Sequence, residues 1–263
     1  MRKLILWPAL LLLLGATPAL SLSNTSYLAP GAFDSVHLLP PPPASDSDAQ
    51  RQDVESVVGA QKAASPMRLT QAEADARVNI DRFAAVLASG FSFDTTPGVA
   101  AFFRKVATDT RAPVTMAKDC WERKRPFLAD PRVHPPGKMQ QEVANPSGAP
   151  VENMAPHDAG SPCLGPETAP AYSYSYPSGH STFGAMTAIL LANMVPEKRR
   201  ELFARGWDYG QSRVVGGVHF PTDVESGRIE ATAMVALMMQ NADFRIDFDT
   251  ARIELRKGLG LAP

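Results

Sequence analysis

The chain has 263 residues, with 26 lysines and arginines against 27 aspartates and glutamates, and a formal net charge of -1. Without Arg2 and Lys3, which open an apolar leader, the net charge is about -3. This balance gives no reason to expect nucleic acid or an acidic membrane surface as a partner. The roughly 240 residues after the leader suffice for one large domain with a substantial core.

The first residues are typical of a secretory signal peptide. Arg2 and Lys3 give a positive start, and residues 4–14 are almost entirely apolar. Ala19 and Ser21 are small residues at positions that a signal peptidase reads. The apolar run is too short to span a bilayer, and no later segment reaches the ~18–20 consecutive apolar residues of a spanning helix. We expect cleavage after one of these two small residues and export to the periplasm, with an uncleaved anchor as the alternative.

Composition divides the chain into three parts. A signal peptide spans residues 1–21, and a Pro/Ser-rich arm spans residues 22–46. The four consecutive prolines at 40–43 favour polyproline geometry, so the arm is expected to be extended, either wrapped over the surface or loose. Residues 47–263 form the third part, in which every periodic segment is helical.

Three helices are predicted in the first half of this third part. The Thr70–Glu73 segment matches a capping box, and the helix that it starts ends at Gly90. Pro97 suits the first position of a second helix, whose apolar stripe comprises Val99, Phe102, Phe103 and Val106. A third helix begins at Pro113 and runs to about Lys124.

Three more helices follow a long loop. Residues 130–176 are dense in proline, glycine, serine and asparagine, and a loop of this length is usually functional or disordered. The later helices are predicted at 181–195, which is largely apolar, at 197–214, and at 222–240, which Pro221 opens. The sequence has no convincing run of alternating strand pattern. The expected fold is an all-α, single-domain helical bundle.

The two cysteines, Cys120 and Cys163, predict a disulfide, because an even number is typical of exported proteins. The bridge would close a loop of 43 residues. By lowering the entropy of the unfolded chain, it would stabilise the fold by roughly 4 kcal/mol. It would also fasten the long loop to the third helix. Two buried free thiols are the alternative.

The first motif whose side chains could bind a substrate contains Lys118 and Arg125. They are seven residues apart, close to two turns of a helix, so both side chains are expected on one face until Pro126 ends the helix. An arginine fork grips two phosphate oxygens and a lysine supplies a point charge. Arg123 and Lys124 are expected to point elsewhere. For the pair alone, the alternative is a solvated basic face.

The second motif is Pro177-Ser178-Gly179-His180, directly before an apolar helix. Ser178 is a good N-cap residue, and Gly179 lets an oxyanion approach the backbone closely. Exposed N–H groups and the positive helix end would favour a phosphate here. His180 lies in the first turn at the edge of that site. Without its context it is equally typical of a capping or core histidine.

The third motif comprises Ser212-Arg213, two glycines at 216–217, and His219 followed by Asp223. The glycines permit a sharp turn, so Asp223 falls in the first turn of the next helix. A carboxylate there can accept the Nδ1 proton of His219. That contact would hold the ring and leave Nε2 free to attack.

The remaining histidines do not indicate a metal site. His37, His134 and His157 lie in proline-rich or loop sequence, and none has a second ligand at metal-site spacing. A metal-dependent phosphatase is therefore disfavoured, no cofactor is expected, and histidine is left as the attacking group.

In order and spacing, the three motifs resemble the signature of the type 2 phosphatidic acid phosphatase superfamily: Lys118-x6-Arg125-Pro126, Pro177-Ser178-Gly179-His180 and Ser212-Arg213-x5-His219-x3-Asp223. Within it, the chain looks like a bacterial class A non-specific acid phosphatase. The resemblance implies the helical fold of the acid phosphatases and vanadium haloperoxidases. It also implies an exported enzyme that hydrolyses a broad range of small phosphate monoesters through a phosphohistidine, without a metal.

The resemblance implies a role for each motif residue. His219 resembles the nucleophile, Asp223 its orienting partner, and His180 the general acid that protonates the leaving alkoxide. The residues that resemble the phosphate cradle are Lys118, Arg125, Ser178, Gly179 and Arg213. A protonated His180 and a phosphate held by three cations both suit mildly acidic pH.

Three alternatives stay open. A vanadate-dependent haloperoxidase shares the same pocket, with bound vanadate in place of a transient phosphate. A membrane lipid phosphatase of the same superfamily is disfavoured because no spanning segment follows the leader, and an exported phosphate-binding protein would not need two histidines. The sequence does not determine the preferred ester, any diphosphohydrolase or phosphotransferase activity, or the oligomeric state, although the family often forms homo-oligomers.

Overall fold

The computed structural model describes residues 26–29, 31–137, 139 and 174–263. Across these ranges all regular secondary structure is helical and no strand is present, which confirms the predicted all-α class. No helix in this part of the chain has the length and apolar character needed to cross a bilayer. The predicted signal peptide, most of the long loop, His157 and Cys163 lie outside the described residues. The leader and the Cys120–Cys163 disulfide therefore stay predictions.

The described residues form these α-helices, numbered in chain order: α1 Ser35–Leu38, α2 Asp48–Ala63, α3 Pro66–Ala74, α4 Ala84–Leu87, α5 Pro97–Asp109, α6 Arg111–Trp121, α7 Pro126–Ala129, α8 Gly179–Met194, α9 Arg199–Val215, α10 Pro221–Met238 and α11 Ala242–Gly258. Short 3-10 helices cover Ile80–Phe83, Phe93–Thr95 and Pro196–Lys198. The helix predicted from Pro97 and those at 181–195, 197–214 and 222–240 are confirmed as α5, α8, α9 and α10. Helices α2 and α11 were not among the predicted helices.

Helix α8 is the centre of the fold. Phe183, Met186 and Leu190 are almost completely buried along it, which is typical of a helix surrounded by protein. Helices α9 and α10 both pack along α8. Helix α10 comes very close to the start of α8 at Gly227, where a Cβ atom would lie 2.5 Å from the carbonyl oxygen of Ser178. Glycine at this point therefore lets the start of α8 lie directly against α10.

The N-terminal arm is anchored to the helices in the described range. Tyr27 is almost completely buried; its N–H donates to Asp109 on α5 (2.9 Å) and its hydroxyl to Asp247 on α11 (2.7 Å). Farther along the arm, the carbonyl of Pro40 accepts the hydroxyl of Tyr176, in the segment before α8. The arm therefore follows the bundle from α5 and α11 to the start of the second motif, as the wrapped alternative predicts.

The helix predicted from the Thr70 capping box to Gly90 is wrong at its start and is interrupted. Helix α3 begins earlier, with Ser65 as its N-cap and Pro66 at its first position. Thr70 lies inside α3, where its hydroxyl donates to the carbonyl of Pro66 (3.1 Å). The helix stops immediately before Asp75, which is buried in ion pairs with arginines from later segments. Tertiary ion pairing, which a local pattern does not show, accompanies this break.

The third predicted helix is shorter than expected, and Arg125 is not part of it. Helix α6 ends at Trp121, because Glu122 adopts the left-handed conformation with φ of 45°. Arg125 is extended, as a residue before proline usually is, and Pro126 begins α7 instead of ending a helix. The expectation that Lys118 and Arg125 share one helix face is therefore wrong.

Candidate active site

His219 lies in the sharp turn between α9 and α10. Gly217 takes a φ of 68°, a region that favours glycine, and the N–H of His219 donates back to the carbonyl of Arg213 (3.3 Å). His219 is only 2% exposed. Its Nδ1 lies 3.4 Å from Oδ2 of Asp223, and its Nε2 lies 3.2 Å from Nη1 of Arg125. The ring is thus held between a carboxylate and a guanidinium.

These two contacts indicate how the His219 ring is protonated. A guanidinium nitrogen can only donate, so Nε2 accepts from Arg125 and carries no proton. The proton of the neutral ring is then on Nδ1, where the carboxylate of Asp223 accepts it. The ring therefore directs its Nε2 lone pair toward the cationic side of the site.

Asp223 is completely buried in the first turn of α10. Its Oδ2 accepts the N–H of Phe220 (2.7 Å) and the hydroxyl of Ser175. Its Oδ1 accepts from Arg123 in a buried ion pair. Its backbone carbonyl accepts the N–H of Ser178 (3.0 Å). One residue thus holds the third motif against the start of α8.

Three buried cations from separate elements act electrostatically on His219: Lys118 from α6, Arg125 from the segment before α7 and Arg213 from α9. Lys118 donates its Nζ to the carbonyl of Tyr174. Arg125 donates to the carbonyl of Val218 (2.8 Å), next to His219. Lys118 and Arg125 thus reach the same site from different elements.

The pKa of His219 is held well below its usual range. Burial is the largest cause, because it disfavours the charged ring. The positive charges that add to it belong to Arg125, Lys118, Arg213 and His180. His219 is therefore neutral at mildly acidic pH, the state in which its lone pair can act as a nucleophile.

Lys118 is affected by the same surroundings. Burial first, and then the charge of Arg125, hold the pKa of Lys118 well below its usual range. Asp223 and Glu230 act in the opposite direction, and Arg213 adds to the lowering. Buried positive charge that lowers its neighbours' pKa values in this way favours the binding of an anion.

The second motif begins α8. Ser178 is the N-cap, as predicted, and its hydroxyl accepts the N–H of Ser181 (3.3 Å). His180 lies in the first helical turn, where its Nε2 is 2.8 Å from the carbonyl of Ala76. A carbonyl only accepts, so this nitrogen carries a proton. The His180 ring also stacks on Tyr209, with centroids 6.3 Å apart. The hydrogen bond to Ala76, in the segment after α3, thus helps to fix the position of the His180 ring.

Comparison with known proteins identifies the family. A family model described as the PAP2 superfamily matches residues 99–247, which is more than half of the chain. The chain belongs to the PAP2 superfamily. The matched range contains all the residues of the three motifs.

Curated relatives of this PAP2 chain include enzymes. An acid phosphatase of Zymomonas mobilis subsp. mobilis is 29% identical over 231 residues, which cover 85% of this chain and 76% of the relative. A non-specific acid phosphatase of Salmonella typhimurium is 29% identical over 229 residues, which cover 85% of this chain and 81% of the relative. A non-specific acid phosphatase of Providencia stuartii is 39% identical over 83 residues, 32% of this chain and 34% of the relative.

The sequence motifs missed two residues of the PAP2 site. Arg123 was expected to point elsewhere, but its buried guanidinium contacts Asp223, so that expectation is wrong; Lys124 is exposed. Ser175 donates its hydroxyl to the same carboxylate. A signal for Arg123 was its position two residues before Arg125, since alternate residues of an extended segment lie on one side. Nothing in the local sequence indicated Ser175.

The two other histidines in the described ranges, His37 and His134, do not contact these site residues in any hydrogen bond that the structure shows. His37 is exposed and its Nδ1 donates to Asp34 (2.6 Å), and the backbone of His134 bonds with Gln61. Within the described ranges, no group of three histidine, cysteine, aspartate or glutamate side chains is arranged to hold a metal ion.

Proposed function

We propose that this PAP2 protein is an exported acid phosphatase that hydrolyses a broad range of phosphate monoesters through a phosphohistidine formed on His219. The observation that carries the proposal is the state of His219. It is a buried neutral imidazole whose Nδ1 faces Asp223 and whose Nε2 contacts Arg125. The names of the two long-matching relatives, both acid phosphatases, support the class of reaction.

In the first step, the Nε2 lone pair of His219 attacks phosphorus and the bond from phosphorus to the ester oxygen breaks. The departing alkoxide takes a proton from His180, so a neutral alcohol leaves and the phosphoryl group stays on Nε2. For this transfer, Nε2–H of His180 gives up its hydrogen bond to the carbonyl of Ala76 and donates to the ester oxygen instead. Asp223 accepts the Nδ1 proton in a hydrogen bond and stabilises the charge that the ring gains.

In the second step, a water molecule attacks the phosphorus and the bond from phosphorus to Nε2 breaks. His180, now neutral, takes a proton from this water, which restores its acid form for the next turnover. Inorganic phosphate leaves and His219 regains its lone pair. The same histidine thus acts as acid in one step and as base in the other.

Metal independence is part of the proposal, because this chain supplies its own positive charge. Phosphoryl transfer requires mainly positioning and charge stabilisation. Lys118, Arg125 and Arg213 offer that stabilisation, together with the backbone N–H of Gly179 at the start of α8; the N–H of Ser178 is already bonded to the carbonyl of Asp223. Dialysis against a chelator is expected to leave kcat unchanged, and a loss that added metal restores would contradict this part.

The broad substrate range rests on what these groups recognise. The cations and the start of α8 bind phosphoryl oxygens, which every phosphate monoester has, and none of them selects the alcohol. We expect nucleotide, sugar and aryl phosphates to differ in kcat/KM by less than about 100-fold, or ~3 kcal/mol. Turnover of a single ester in such a panel would contradict the breadth but not the reaction.

Export is proposed from the leader at residues 1–21. The test is N-terminal sequencing of the protein recovered from the periplasm. The expected first residue is Leu20 or Leu22. A chain that keeps Met1 and sediments with membranes would contradict this part.

The decisive experiment compares two histidines that each contact an aspartate. His219→Ala is expected to lose at least ~10³-fold in kcat on p-nitrophenyl phosphate, because the attacking group is gone. His37→Ala removes the exposed partner of Asp34 and is expected to keep wild-type activity. If His219→Ala hydrolyses the ester at near wild-type rate, the phosphohistidine mechanism is wrong.

A further inference from the structure

Arg123 joins two carboxylates from different helices. Its Nη1 donates to Oδ1 of Asp223 on α10 and to the hydroxyl of Thr222 (2.7 Å). Its Nη2 donates to Asp53 (2.7 Å) and to the side-chain carbonyl of Gln50 (2.6 Å), both on α2. The side chain is only 6% exposed. Every one of these partners belongs to the protein, and both terminal nitrogens of the guanidinium are satisfied by them, while the buried Nε has no hydrogen-bond partner in the described part of the chain.

The Phe220 ring restrains the same guanidinium from its face. The guanidinium carbon lies 4.1 Å from the centroid of Phe220, the residue directly after His219. Thr222 also donates its hydroxyl to Asp53, and its N–H lies 3.4 Å from the same carboxylate. The turn that carries His219 is thus fastened to α2 through both Arg123 and Thr222.

The two oxygens of Asp223 have different partners. Oδ1 is held by Arg123, while Oδ2 accepts from Ser175, from the N–H of Phe220 and from Nδ1 of His219. A carboxylate is planar, so a fixed Oδ1 also fixes the direction of Oδ2. The contact of Oδ2 with the His219 ring, at 3.4 Å, is the longest of the set and depends most on this orientation.

We propose that Arg123 is a positioning residue that links α2 to the nucleophile through Asp223, with Asp53 and Gln50 as its anchor. The proposal rests on the phosphohistidine function given above. Arg123 acts on His219 through the carboxylate, so its loss misplaces the attacking ring and leaves the phosphate cradle in place. It therefore lowers kcat and changes KM little. A phosphate ligand would instead change KM, and a simple tether would change only the amount of folded protein.

The test uses the full chain with three substitutions. Arg123→Met removes the charge and the planar guanidinium. Arg123→Lys keeps a positive charge, but a single ammonium group cannot bridge both carboxylates. Arg132→Met is the control. Arg132 also joins α2 through an acidic residue, Glu55, but is half exposed. We expect kcat per folded enzyme to fall ~100-fold for Arg123→Met and ~10-fold for Arg123→Lys, with KM within about 3-fold. Arg132→Met should match the wild type.

A double-mutant cycle separates positioning from a structural role. In an Asp223→Asn background, adding Arg123→Met should lower kcat by less than about a further 3-fold, because Arg123 can no longer act on His219 through the carboxylate of Asp223. Should Arg123→Met not fold, the same cycle is made with Arg123→Lys. Near wild-type kcat in the folded Arg123 variants, or a loss that is fully additive with Asp223→Asn, overturns the inference. Retained activity in His219→Ala would instead overturn the proposed mechanism, so the two failures are distinguishable.

Discussion

Two histidine–aspartate pairs in the described residues have the same chemistry and very different surroundings. His37 and Asp34 are both exposed, with Nδ1 2.6 Å from the carboxylate. His219 and Asp223 are buried and farther apart, at 3.4 Å. The shorter contact is the exposed one, so closeness to a carboxylate is not what sets the proposed nucleophile apart. What distinguishes His219 is burial beside cations and a carboxylate held from its far side by Arg123.

The two pairs also differ in how much each contact contributes energetically, because one is buried and the other is exposed. In water, the His37–Asp34 pair is screened and contributes little. In the buried site, the same type of pair faces no competing solvent, and each charge needs a defined partner. Matched substitutions at buried and exposed positions should therefore differ, from a large loss of activity to a small loss of stability.

The largest effect is expected when the two aspartates are compared. Asp223→Asn keeps the shape of the side chain but places a neutral amide next to Nδ1 of His219. The amide does not stabilise the positive charge that the ring gains. We expect kcat to fall by about 10²–10⁴-fold. Asp34→Asn makes the same change at the exposed pair and should leave kcat unchanged. Activity of Asp223→Asn within ten-fold of wild type would show that burial alone, and not the carboxylate, makes His219 reactive.

The ionisation of His219 is expected to depend on the cations around it. Burial first, and then these charges, hold the pKa of His219 below its usual range, so the acid limb of kcat/KM should lie below about pH 6.5. Lys118→Met removes one positive charge, which favours the protonated ring. The pKa of His219 then rises, and the acid limb should move to higher pH by about one unit.

The control for this pH experiment is another lysine in a partly buried ion pair. Lys105 pairs with Asp247 and lies 3.8 Å from the centroid of the Tyr27 ring. Lys105→Met should leave the acid limb of kcat/KM in place. An equal shift in both variants would point to a general charge effect, and no shift in Lys118→Met would remove Lys118 from the surroundings of His219.

The smallest effect is expected at the exposed pair and concerns stability. Asp34 is the N-cap of α1, and its loss in Asp34→Ala should lower the free energy of unfolding by about 0.5–1 kcal/mol, a value reduced by solvent screening. Burial acts to raise the pKa of Asp34, but hydrogen bonds from His37 and Val36 outweigh it and hold this pKa below its usual range.

This lowered pKa makes the stability effect depend on pH. The contribution of Asp34 is present above the pKa that its carboxyl has in the unfolded chain, and it is lost as pH falls through the lower pKa of the folded state. Urea unfolding of the wild type and Asp34→Ala should therefore differ at pH 7 and converge only at pH values below the ordinary aspartate pKa of about 3.9. A difference that is the same at both pH values would contradict a charged cap.

Much of the site was predictable because its residues act locally. Ser178 caps a helix and Asp223 falls in a first turn, and both positions follow from proline, glycine and apolar spacing within a few residues. Lys118 and Arg125 both act on His219, but not from one helix face as expected, because the helix that was expected to hold both ends at Trp121.

Arg123 shows why the rest was not predictable. Its contacts join residues that are 100 positions apart, to Asp223, and 70 apart, to Asp53. No periodicity or capping rule extends over such separations. Its charge alone favoured a place in solvent, and only the anions of two other helices make its burial favourable.

The sequence by itself determined that the chain is helical, that its motifs suit a phosphoryl group, and that His219 and Asp223 are neighbours, because these properties depend on spacing within a turn or two. The tertiary structure decided that Arg125 reaches His219 from outside a helix, that His180 is held by Ala76, and that Arg123 fixes the far oxygen of Asp223. The physical reason is that hydrogen bonds and burial in a packed interior are set by which helices meet, and no local pattern encodes those meetings.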